Sequence, residues 1–279
     1  MRDPEKEIIA PADWAAIDFI SDLHLQAENP ATLAAWKAYM ARTPASALII
    51  LGDLFEVWVG DDCLAPQAIA HADHGVAHTE PPTPSFAAEC AAVIRATAQR
   101  MPVFIMAGNR DFLMGPALME ACQATALADP CTLIFGGSRW LLSHGDALCT
   151  DDLPYQAFRR QVRSSAWQSA FLARPLAERV AIAADIRSRS ENTKRSTSHY
   201  IDLNPDACKQ WLEMADAPQL IHGHTHQPGQ HSLSAQQTRT VLSDWDFDAR
   251  PHRGDLLRLH KHAPHGLQSA RLERLAVQP

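Results

Sequence analysis

The sequence has no apolar run that approaches 18 residues, so it predicts no membrane-spanning helix. Its six cysteines include no C-x-x-C pair, which disfavours both a thiolate zinc site and a disulfide framework. The first seven residues are mostly charged and have no apolar centre of the kind found in signal peptides. We therefore expect reduced thiols and a protein that stays in the cytoplasm.

Positive charge is scarce in the chain as a whole but concentrated in one stretch. The net charge of −7 disfavours general nucleic-acid binding. Residues 159–195 nevertheless carry nine Lys and Arg against three Asp and Glu. Such a stretch predicts an anionic partner, either substrate phosphates, anionic lipid or both.

Five short apolar runs each end in residues that commonly bind metals. The polar segments are residues 22–24, 52–53, 108–111, 143–146 and 223–226. Continuous apolar runs of this length are typical of strands buried on both faces, and ligands gather at the carboxyl ends of such strands. The pattern therefore predicts a metal centre at one sheet edge, with enough ligands for two metals.

The residue types in these segments narrow the chemistry. Asp supplies carboxylate oxygen, His supplies imidazole nitrogen and Asn supplies an amide oxygen. This mixed set suits Mn²⁺, Fe²⁺, Co²⁺ or catalytic Zn²⁺, and the ligand types alone do not decide among them.

The order of the motifs, D-x-H, G-D, G-N-x-D, H-G-D and G-H-x-H, resembles that of the calcineurin-like metallophosphoesterases. The longer runs DLFEVWVGDD, GNRDFL and HGDALCTDD are similar to the branch that acts on UDP-2,3-diacylglucosamine in lipid A biosynthesis. The resemblance covers roughly residues 17–245. It implies an α/β fold, specifically an α/β/β/α sandwich with an inserted helical cap.

The resemblance also implies a role for individual residues. One metal would be held by Asp22, His24, Asp53 and His226, and the other by Asp53, Asn109, His144 and His224. Asp53 would bridge two divalent ions, for which Mn²⁺ is favoured. The implied catalytic residues are Asp53, Asn109, Arg110 and His144, and the implied substrate contacts are Asn109, Arg110, Asp152, Ser190, Lys194 and His224.

The implied reaction is attack of a metal-activated water on the α-phosphorus of UDP-2,3-diacylglucosamine, giving UMP and 2,3-diacylglucosamine 1-phosphate (lipid X). Many members of the superfamily have His at the position of Arg110, where it can protonate an alcohol leaving group. Arginine stays charged and instead grips phosphate oxygens, which favours cleavage of a phosphoanhydride. The alternative is that Arg110 serves only in a structural ion pair.

Residues 155–200 show no strand pattern, are rich in alanine and contain Pro175 as a break, so they predict a helical cap. The interleaved arginines and apolar residues are compatible with a membrane surface, an acyl-chain groove or an ordinary amphipathic helix pair. The resemblance favours a cap that handles lipid. The cap departs from the pattern of the family that the chain resembles, because Thr197 stands where that pattern has a lysine.

The rest of the chain predicts an extension at 1–16 and a core formed by 17–154 and 201–279. Helices are predicted at 30–42 and 85–99, and late strands at 238–242 and 255–259 should complete a second sheet packed on the first. We expect Asp111, Asp146 and Glu56 to orient metal-bound histidines. We expect His222 to be a core residue or to contact the ligands without binding metal itself.

Two other functions stay open at this point. The chain could be a metallophosphoesterase for nucleotides or phosphoproteins, against which Arg110 and the basic cap argue. It could also be a scaffold without activity, against which the intact ligand set argues. The leading interpretation implies a lipid-linked UDP-sugar substrate, peripheral association with the cytoplasmic face of the inner membrane and a monomer.

Overall fold

The computed structural model describes residues 7–66, 83–196, 202–262 and 269–277, and of residues 189–196 and 262 it describes the backbone alone. The strands are β1 (Glu7–Ile9), β2 (Ala16–Ile20), β3 (Ala47–Leu51), β4 (Val103–Met106), β5 (Thr125–Leu127), β6 (Cys131–Phe135), β7 (Ser138–Ser143), β8 (Gln219–His222), β9 (Gly229–Ser232), β10 (Thr238–Val241), β11 (Asp255–His262) and β12 (Ser269–Ala276). The helices are α1 (Pro30–Arg42), α2 (Phe86–Ala98), α3 (Pro116–Cys122), α4 (Leu153–Val162), α5 (Ser165–Leu172), α6 (Leu176–Ser196) and α7 (Pro205–Ala215).

The strands form two six-stranded mixed sheets. The first sheet has the order β12-β11-β2-β3-β4-β5, in which β2 to β5 are parallel. The second has the order β1-β6-β7-β8-β10-β9, in which β7, β8 and β10 are parallel. The two sheets pack face to face, with helices on both outer sides.

The side chains of β3 show how one apolar run builds two layers. All five of its residues are buried. Because successive side chains of a strand point to opposite faces, Leu48 and Ile50 pack in the core beneath α1 and α2, whereas Ile49 and Leu51 pack between the sheets. A third, smaller core lies between the second sheet and α7. The predicted α/β/β/α sandwich is confirmed.

The sequence suggested that the five motif strands share one sheet, but they do not. Strands β2, β3 and β4 belong to the first sheet, whereas β7 and β8 belong to the second. Of the two late strands expected to complete the second sheet, β10 does so beside β8, whereas β11 joins the first sheet beside β2. Apolar runs of two fully covered sheets look alike in sequence, so the pattern could not assign strands to sheets.

Several element boundaries match the sequence prediction and others differ. Helix α1 spans the predicted 30–42, and α2 begins after Ser85, whose side chain accepts the amide hydrogen of Ala88 as a helix cap. The predicted N-terminal extension contains β1, which pairs in parallel with β6. Pro175 lies in the break between α5 and α6. Among the described residues, no helix is both long enough and apolar enough to cross a membrane.

Candidate metal centre

The loops that follow β2 and β3 run side by side as a continuation of the first sheet. The amide of Asp22 donates to the carbonyl of Gly52 at 3.1 Å, and the amide of His24 donates to the carbonyl of Asp53 at 3.0 Å. The amide of Leu25 then donates to Leu54 at 2.9 Å. These backbone bonds place three predicted ligands in adjacent positions at the sheet edge.

One of these ligands also ties the two sheets together. The carboxylate of Asp22 accepts the backbone N–H of His224, with its nearer oxygen 2.9 Å away. The carbonyl of Asp22 accepts the amide of Trp245 at 3.0 Å. Asp22 therefore fixes the end of β8 against the end of β2, and this contact closes the two sheet edges around one site.

Five of the seven predicted ligands adopt a left-handed backbone conformation. Positive φ angles between 46° and 67° are found at Asp22, His24, Asp53, His224 and His226. Such conformations cost non-glycine residues roughly 1 kcal/mol or more, and they concentrate at functional sites. Among the other described non-glycine residues, only Gln123 and Asp216 share this geometry, and both end helices. The strain is therefore concentrated at the candidate metal centre.

The glycine of the G-N-x-D motif is required by close packing. A Cβ built on Gly108 would lie well inside 3.0 Å of Oδ1, the backbone nitrogen and Cγ of Asp53. The space that a side chain would need is occupied by a predicted ligand. Glycine at this position therefore lets the loop after β4 approach the loop after β3.

A first group of donor atoms is formed by Asp22, His24 and His226. Nε2 of His226 lies 3.2 Å from Oδ1 of Asp22 and 3.3 Å from Nε2 of His24. Nε2 of His24 lies 3.9 Å from the same Asp22 oxygen. All three atoms therefore face a common centre.

A second group of donor atoms surrounds Asn109. Its Oδ1 lies 2.9 Å from Nε2 of His144 and 2.8 Å from Nδ1 of His224. Asp53 stands between the groups, with Oδ2 4.0 Å from Nε2 of His24 and Oδ1 3.7 Å from Nε2 of His144. One oxygen of this carboxylate thus faces each group, which suits the predicted bridging role.

The donor set fits divalent metal ions. Ligand atoms that are each about 2.1 Å from one ion lie roughly 3.0 to 3.4 Å apart in octahedral or tetrahedral geometry. The separations within each group are close to this range, between 2.8 and 4.0 Å. Carboxylate, amide and imidazole donors are present, and no cysteine contributes, as the sequence predicted. The structure therefore brings together all seven predicted ligands in an arrangement that could hold two ions.

The electrostatics of the site favour positive charge at its centre. Burial lowers the pKa of a histidine, but Asp53, Asp22 and Asp146 outweigh it at His144 and raise its pKa to about 9. Desolvation and the neighbouring His144 both lower the pKa of His224 to about 3. A cluster that draws a proton onto one buried histidine is also suited to a cation.

Among the described contacts, Asp111 and Asp146 make no hydrogen bond to the histidines of the candidate centre, contrary to our expectation. Asp111 accepts the amides of Gly108 and Leu54, both at 2.7 Å, and so supports the loop backbone. Burial, together with Asp53, raises its pKa to about 7. The ring of His144 is oriented instead by the carbonyl of Leu51, 2.9 Å from Nδ1.

Asp146 joins the centre to α4, the first helix of the stretch that the sequence predicts as a cap. Its Oδ2 accepts the Tyr155 hydroxyl at 2.5 Å and Nε of Arg159 at 2.7 Å. Burial opposes the charge of Asp146, but His144 and Arg159 overcome it and lower the pKa of this carboxyl. The ring of Tyr155 stacks on His224 with centroids 6.2 Å apart.

The long helix of the cap is anchored by a buried arginine. Arg179 in α6 is only 2% exposed and donates to the carbonyl of Val59 and to Asp62. Gly60, with φ of 137°, leaves the space for this guanidinium. Asp61 accepts the amides of Gly115, Ala117 and Leu118 at the start of α3. The run VWVGDD therefore builds the contact between core and cap.

Arg110 and Glu56 form an ion pair beside the candidate centre. Nη1 of Arg110 lies 2.5 Å from Oε1 of Glu56, and the Arg110 backbone amide donates to Oδ1 of Asp53 at 2.8 Å. The second Glu56 oxygen lies 2.9 Å from Nδ1 of His24, as the sequence analysis expected of a supporting carboxylate. Burial opposes the Glu56 charge, but His24 and Arg110 lower its pKa.

The remaining predicted site residues lie outside this cluster. Asp152 caps α4 by accepting the amide of Tyr155 at 3.0 Å. Ser190 and Lys194 are in α6, and their side chains lie outside the described residues. His222 is fully buried, with a pKa lowered to about 4 by burial, and is a core residue.

Sequence reasoning missed one charged group behind a predicted ligand. Oδ2 of Asp244 lies 3.8 Å from Nδ1 of His226, and its two oxygens lie 3.1 and 3.0 Å from Nε of Arg253. Asp244 follows the end of β10, so it shows the same strand-then-carboxylate pattern as the predicted segments. That pattern could have identified it.

Comparisons with known proteins agree with this geometry. A family model described as calcineurin-like phosphoesterase matches residues 15–228. A UDP-2,3-diacylglucosamine hydrolase of Chromobacterium violaceum is 44% identical over 239 residues, 82% of this chain and 90% of that protein. Proteins of the same name from Bordetella pertussis and Xanthomonas axonopodis pv. citri are 42% and 39% identical, covering 85% and 93% of this chain and 88% and 98% of their own lengths. Matches of this extent identify the chain as a member of the calcineurin-like phosphoesterase family.

Proposed function

We propose that the protein hydrolyses the diphosphate of UDP-2,3-diacylglucosamine to UMP and 2,3-diacylglucosamine 1-phosphate, a step of lipid A biosynthesis. Three relatives at 39% to 44% identity carry the name of this hydrolase. The observation that carries the proposal is the position of Arg110. Its amide contacts Asp53, and its guanidinium shares the carboxylate of Glu56 with His24, so it stands beside both donor groups.

The residues that we propose as ligands divide into two sets that share one carboxylate. Asp22, His24, Asp53 and His226 would hold one ion, and Asp53, Asn109, His144 and His224 the other. Bound divalent ions would supply Lewis-acid activation of water and would offset the charge of the diphosphate. We propose Mn²⁺, which is one of the ions that the mixed oxygen and nitrogen donors suit and the one that the family resemblance favours.

The side chains at this site favour a phosphoanhydride over an alcohol ester. Arg110 can hold phosphate oxygens in a fork but cannot give up a proton. The leaving sugar phosphate does not need one, since the second pKa of a phosphate monoester is about 6. Asn109 has its amide oxygen between His144 and His224, so its N–H groups are not used by those rings and could donate to substrate. We further propose substrate contacts by His224 and, in the cap, by Asp152, Ser190 and Lys194.

The cap suits a lipid surface, and we propose that it binds the cytoplasmic face of the inner membrane peripherally. Leu172, Leu176 and Val180 are large apolar residues with exposures of 43%, 37% and 51%. Arg174 lies among them with more than half of its side chain exposed. Apolar residues with nearby arginines are typical of interfacial helices that bind anionic lipid. We expect a monomer, which light scattering of the purified protein can check.

Release of UMP from the lipid substrate tests the proposed reaction. Metal-stripped protein is incubated with UDP-2,3-diacylglucosamine in detergent, with and without Mn²⁺, and UMP is measured by chromatography. Mn²⁺-dependent release is expected. If protein that has reloaded its metal releases no UMP, UDP-2,3-diacylglucosamine is not its substrate, and the function of the donor groups is left unexplained.

An aryl phosphate ester tests the competing activity on simple esters. Because Arg110 cannot protonate an alcohol leaving group, we expect weak turnover of this ester beside strong turnover of the UDP-lipid. The opposite ranking would favour an esterase for nucleotides or phosphoproteins. Protein that folds but takes up no metal would favour a scaffold.

A further inference from the structure

Glu56 contacts three parts of the molecule at the same time: His24 of the candidate metal centre, Arg110 of the core and Arg187 of α6. It is 6% exposed and lies in the loop after β3. Oε2 is 2.9 Å from Nδ1 of His24. Oε1 is 2.5 Å from Nη1 of Arg110 and 2.8 Å from Nη1 of Arg187, which belongs to α6. Each carboxylate oxygen therefore serves a different part of the molecule.

The backbone holds Glu56 in this position. Its amide donates to the carbonyl of Leu25 at 3.3 Å, one residue beyond His24. An isolated parallel bridge joins Leu25 to Phe55. The side chain therefore leaves the backbone next to the histidine that it contacts, and its position depends on the same ladder that places the ligands.

The contact with His24 determines which ring nitrogen is available to a metal. Nε2 of His24 faces Asp22 and His226, whereas Nδ1 faces Glu56. A carboxylate at Nδ1 keeps the proton on that nitrogen and leaves the Nε2 lone pair free. Partners of this kind commonly change metal affinity about 10- to 100-fold when they are removed.

The contact with the two arginines brings like charges together. Arg110 and Arg187 both lie within hydrogen-bond distance of one oxygen, although one belongs to the core and the other to the cap. Two guanidinium groups this close repel each other unless an anion lies between them. Removing the negative charge of Glu56 should therefore loosen α6 as well as the ring of His24.

We propose that Glu56 is a positioning residue that couples the cap to the metal centre, one oxygen holding His24 and the other holding Arg110 and Arg187. This inference rests on the proposed metal-dependent function. It adds that the placement of α6 and the occupancy of the ion held by His24 depend on one carboxylate.

The Glu56→Gln variant cannot keep both contacts, because its side-chain amide has a single oxygen. If that oxygen faces the arginines, the NH₂ group meets Nδ1–H of His24. If it faces His24, the NH₂ group meets two cations. The variant has nearly the same size as the wild type, and its folding is checked by circular dichroism. One side of the coupling must fail in either orientation.

The readouts are the number and affinity of bound Mn²⁺ ions, followed by electron paramagnetic resonance, and hydrogen exchange of the α6 amides. For Glu56→Gln we expect the ion held by His24 to bind about 10- to 100-fold more weakly, with faster exchange in α6. Arg187→Gln removes only the cap partner, so we expect faster α6 exchange with both ions retained.

Asp62→Asn is the matched control. Asp62 also anchors α6 through Arg179, and its contacts with the described part of the chain include no proposed ligand. We expect it to speed α6 exchange without weakening Mn²⁺ binding. An equal loss of Mn²⁺ affinity in Asp62→Asn and Glu56→Gln would mean that loosening of the cap alone weakens the metal, which would overturn the proposal.

The design separates this inference from the proposed function. Wild-type protein that binds two ions and releases UMP, beside a Glu56→Gln variant with unchanged affinity and exchange, would refute the coupling alone. Wild-type protein that binds no Mn²⁺ would refute both.

Discussion

Nε of Arg159 lies 2.7 Å from Oδ2 of Asp146, so the first cap helix is bonded to the segment that carries His144. Asp146 is fully buried, and the other guanidinium near it, that of Arg163, is 4.0 Å away. Removing one partner of a buried ion pair leaves the other charge buried and unpaired, which is destabilising. We expect Arg159→Leu to lower the free energy of unfolding by about 3 kcal/mol.

Denaturant unfolding of Arg159→Leu and Arg160→Leu checks this expectation. Arg160 is the exposed neighbour on the same helix, and its substitution should change stability by about 0.5 kcal/mol or less. Equal effects of the two substitutions would show that the Asp146 pair contributes nothing.

Asp53→Ala should remove both metal ions and all hydrolysis. The two oxygens of Asp53 face His24 and His144, so its loss takes one ligand from each donor group. Native mass spectrometry of Mn²⁺-loaded protein counts the ions. The control is Asp206→Ala, an exposed carboxylate paired with Lys209, which should keep two. Retention of one tightly bound ion by Asp53→Ala would refute bridging.

Arg110→Ala should lower kcat/KM for the UDP-lipid by roughly 100- to 1000-fold, as for loss of a donor that stabilises transition-state charge. Its side chain contacts no proposed ligand directly, and its closest ion pair is with Glu56. Metal content should therefore stay at the wild-type value, measured by elemental analysis. Loss of metal in this variant would assign Arg110 a structural role and end the leaving-group argument.

Gly108→Ala should distort the centre although it adds only a methyl group. The new Cβ would overlap the carboxylate and amide of Asp53, and overpacking of this kind costs about 1–3 kcal/mol. The melting temperature and the affinity for Mn²⁺ should both be lower than in the wild type. In Gly229→Ala the nearest atom to the Cβ is 3.4 Å away, so that variant should bind Mn²⁺ like the wild type.

The buried thiols should resist alkylation in the folded protein. Burial raises the pKa of Cys90, Cys122 and Cys149 to about 12, and the thiolate is the reactive form. Because pH 10 still lies below these pKa values, raising the pH from 8 to 10 should leave all three mostly protonated. Mass spectrometry after iodoacetamide treatment should find them modified only once the protein is unfolded. Rapid labelling of Cys149 at pH 8 in folded protein would contradict the burial of this thiol.

Much of the site could be predicted because its signals are local. Each ligand follows an apolar strand within a few residues, and the motif order that these segments form is specific. Helix α1 was also predicted with its observed bounds, since Pro30 opens it and its apolar residues recur at helical spacing. Strand β1 was missed because it has only three residues, all exposed or half-buried. The eight-residue strand β12 was missed because it is an edge strand with several charged residues and no clear period.

The partners of the supporting carboxylates could not be predicted in the same way. Asp111, Asp146 and Glu56 all flank motif residues, yet one supports backbone amides, one holds the cap and one contacts His24. Sequence adjacency says nothing about which distant group a side chain meets. The arginines of the basic stretch behave likewise: Arg179 is buried against Asp62, whereas Arg160 is exposed.

The local order of residues by itself determined the α/β class, the strand-end segments that carry the candidate ligands and the helical stretch at 155–200, because strand periodicity, strand-end chemistry and helical composition are short-range properties. The choice of seven ligands among those segments came from the family resemblance of the motif order. Only the tertiary structure decided how the motif strands divide between two sheets and which carboxylate supports which ligand. Those outcomes depend on contacts between residues far apart in the chain, such as Asp22 with His224 and Glu56 with Arg187, which form only when both sheets and the cap pack together.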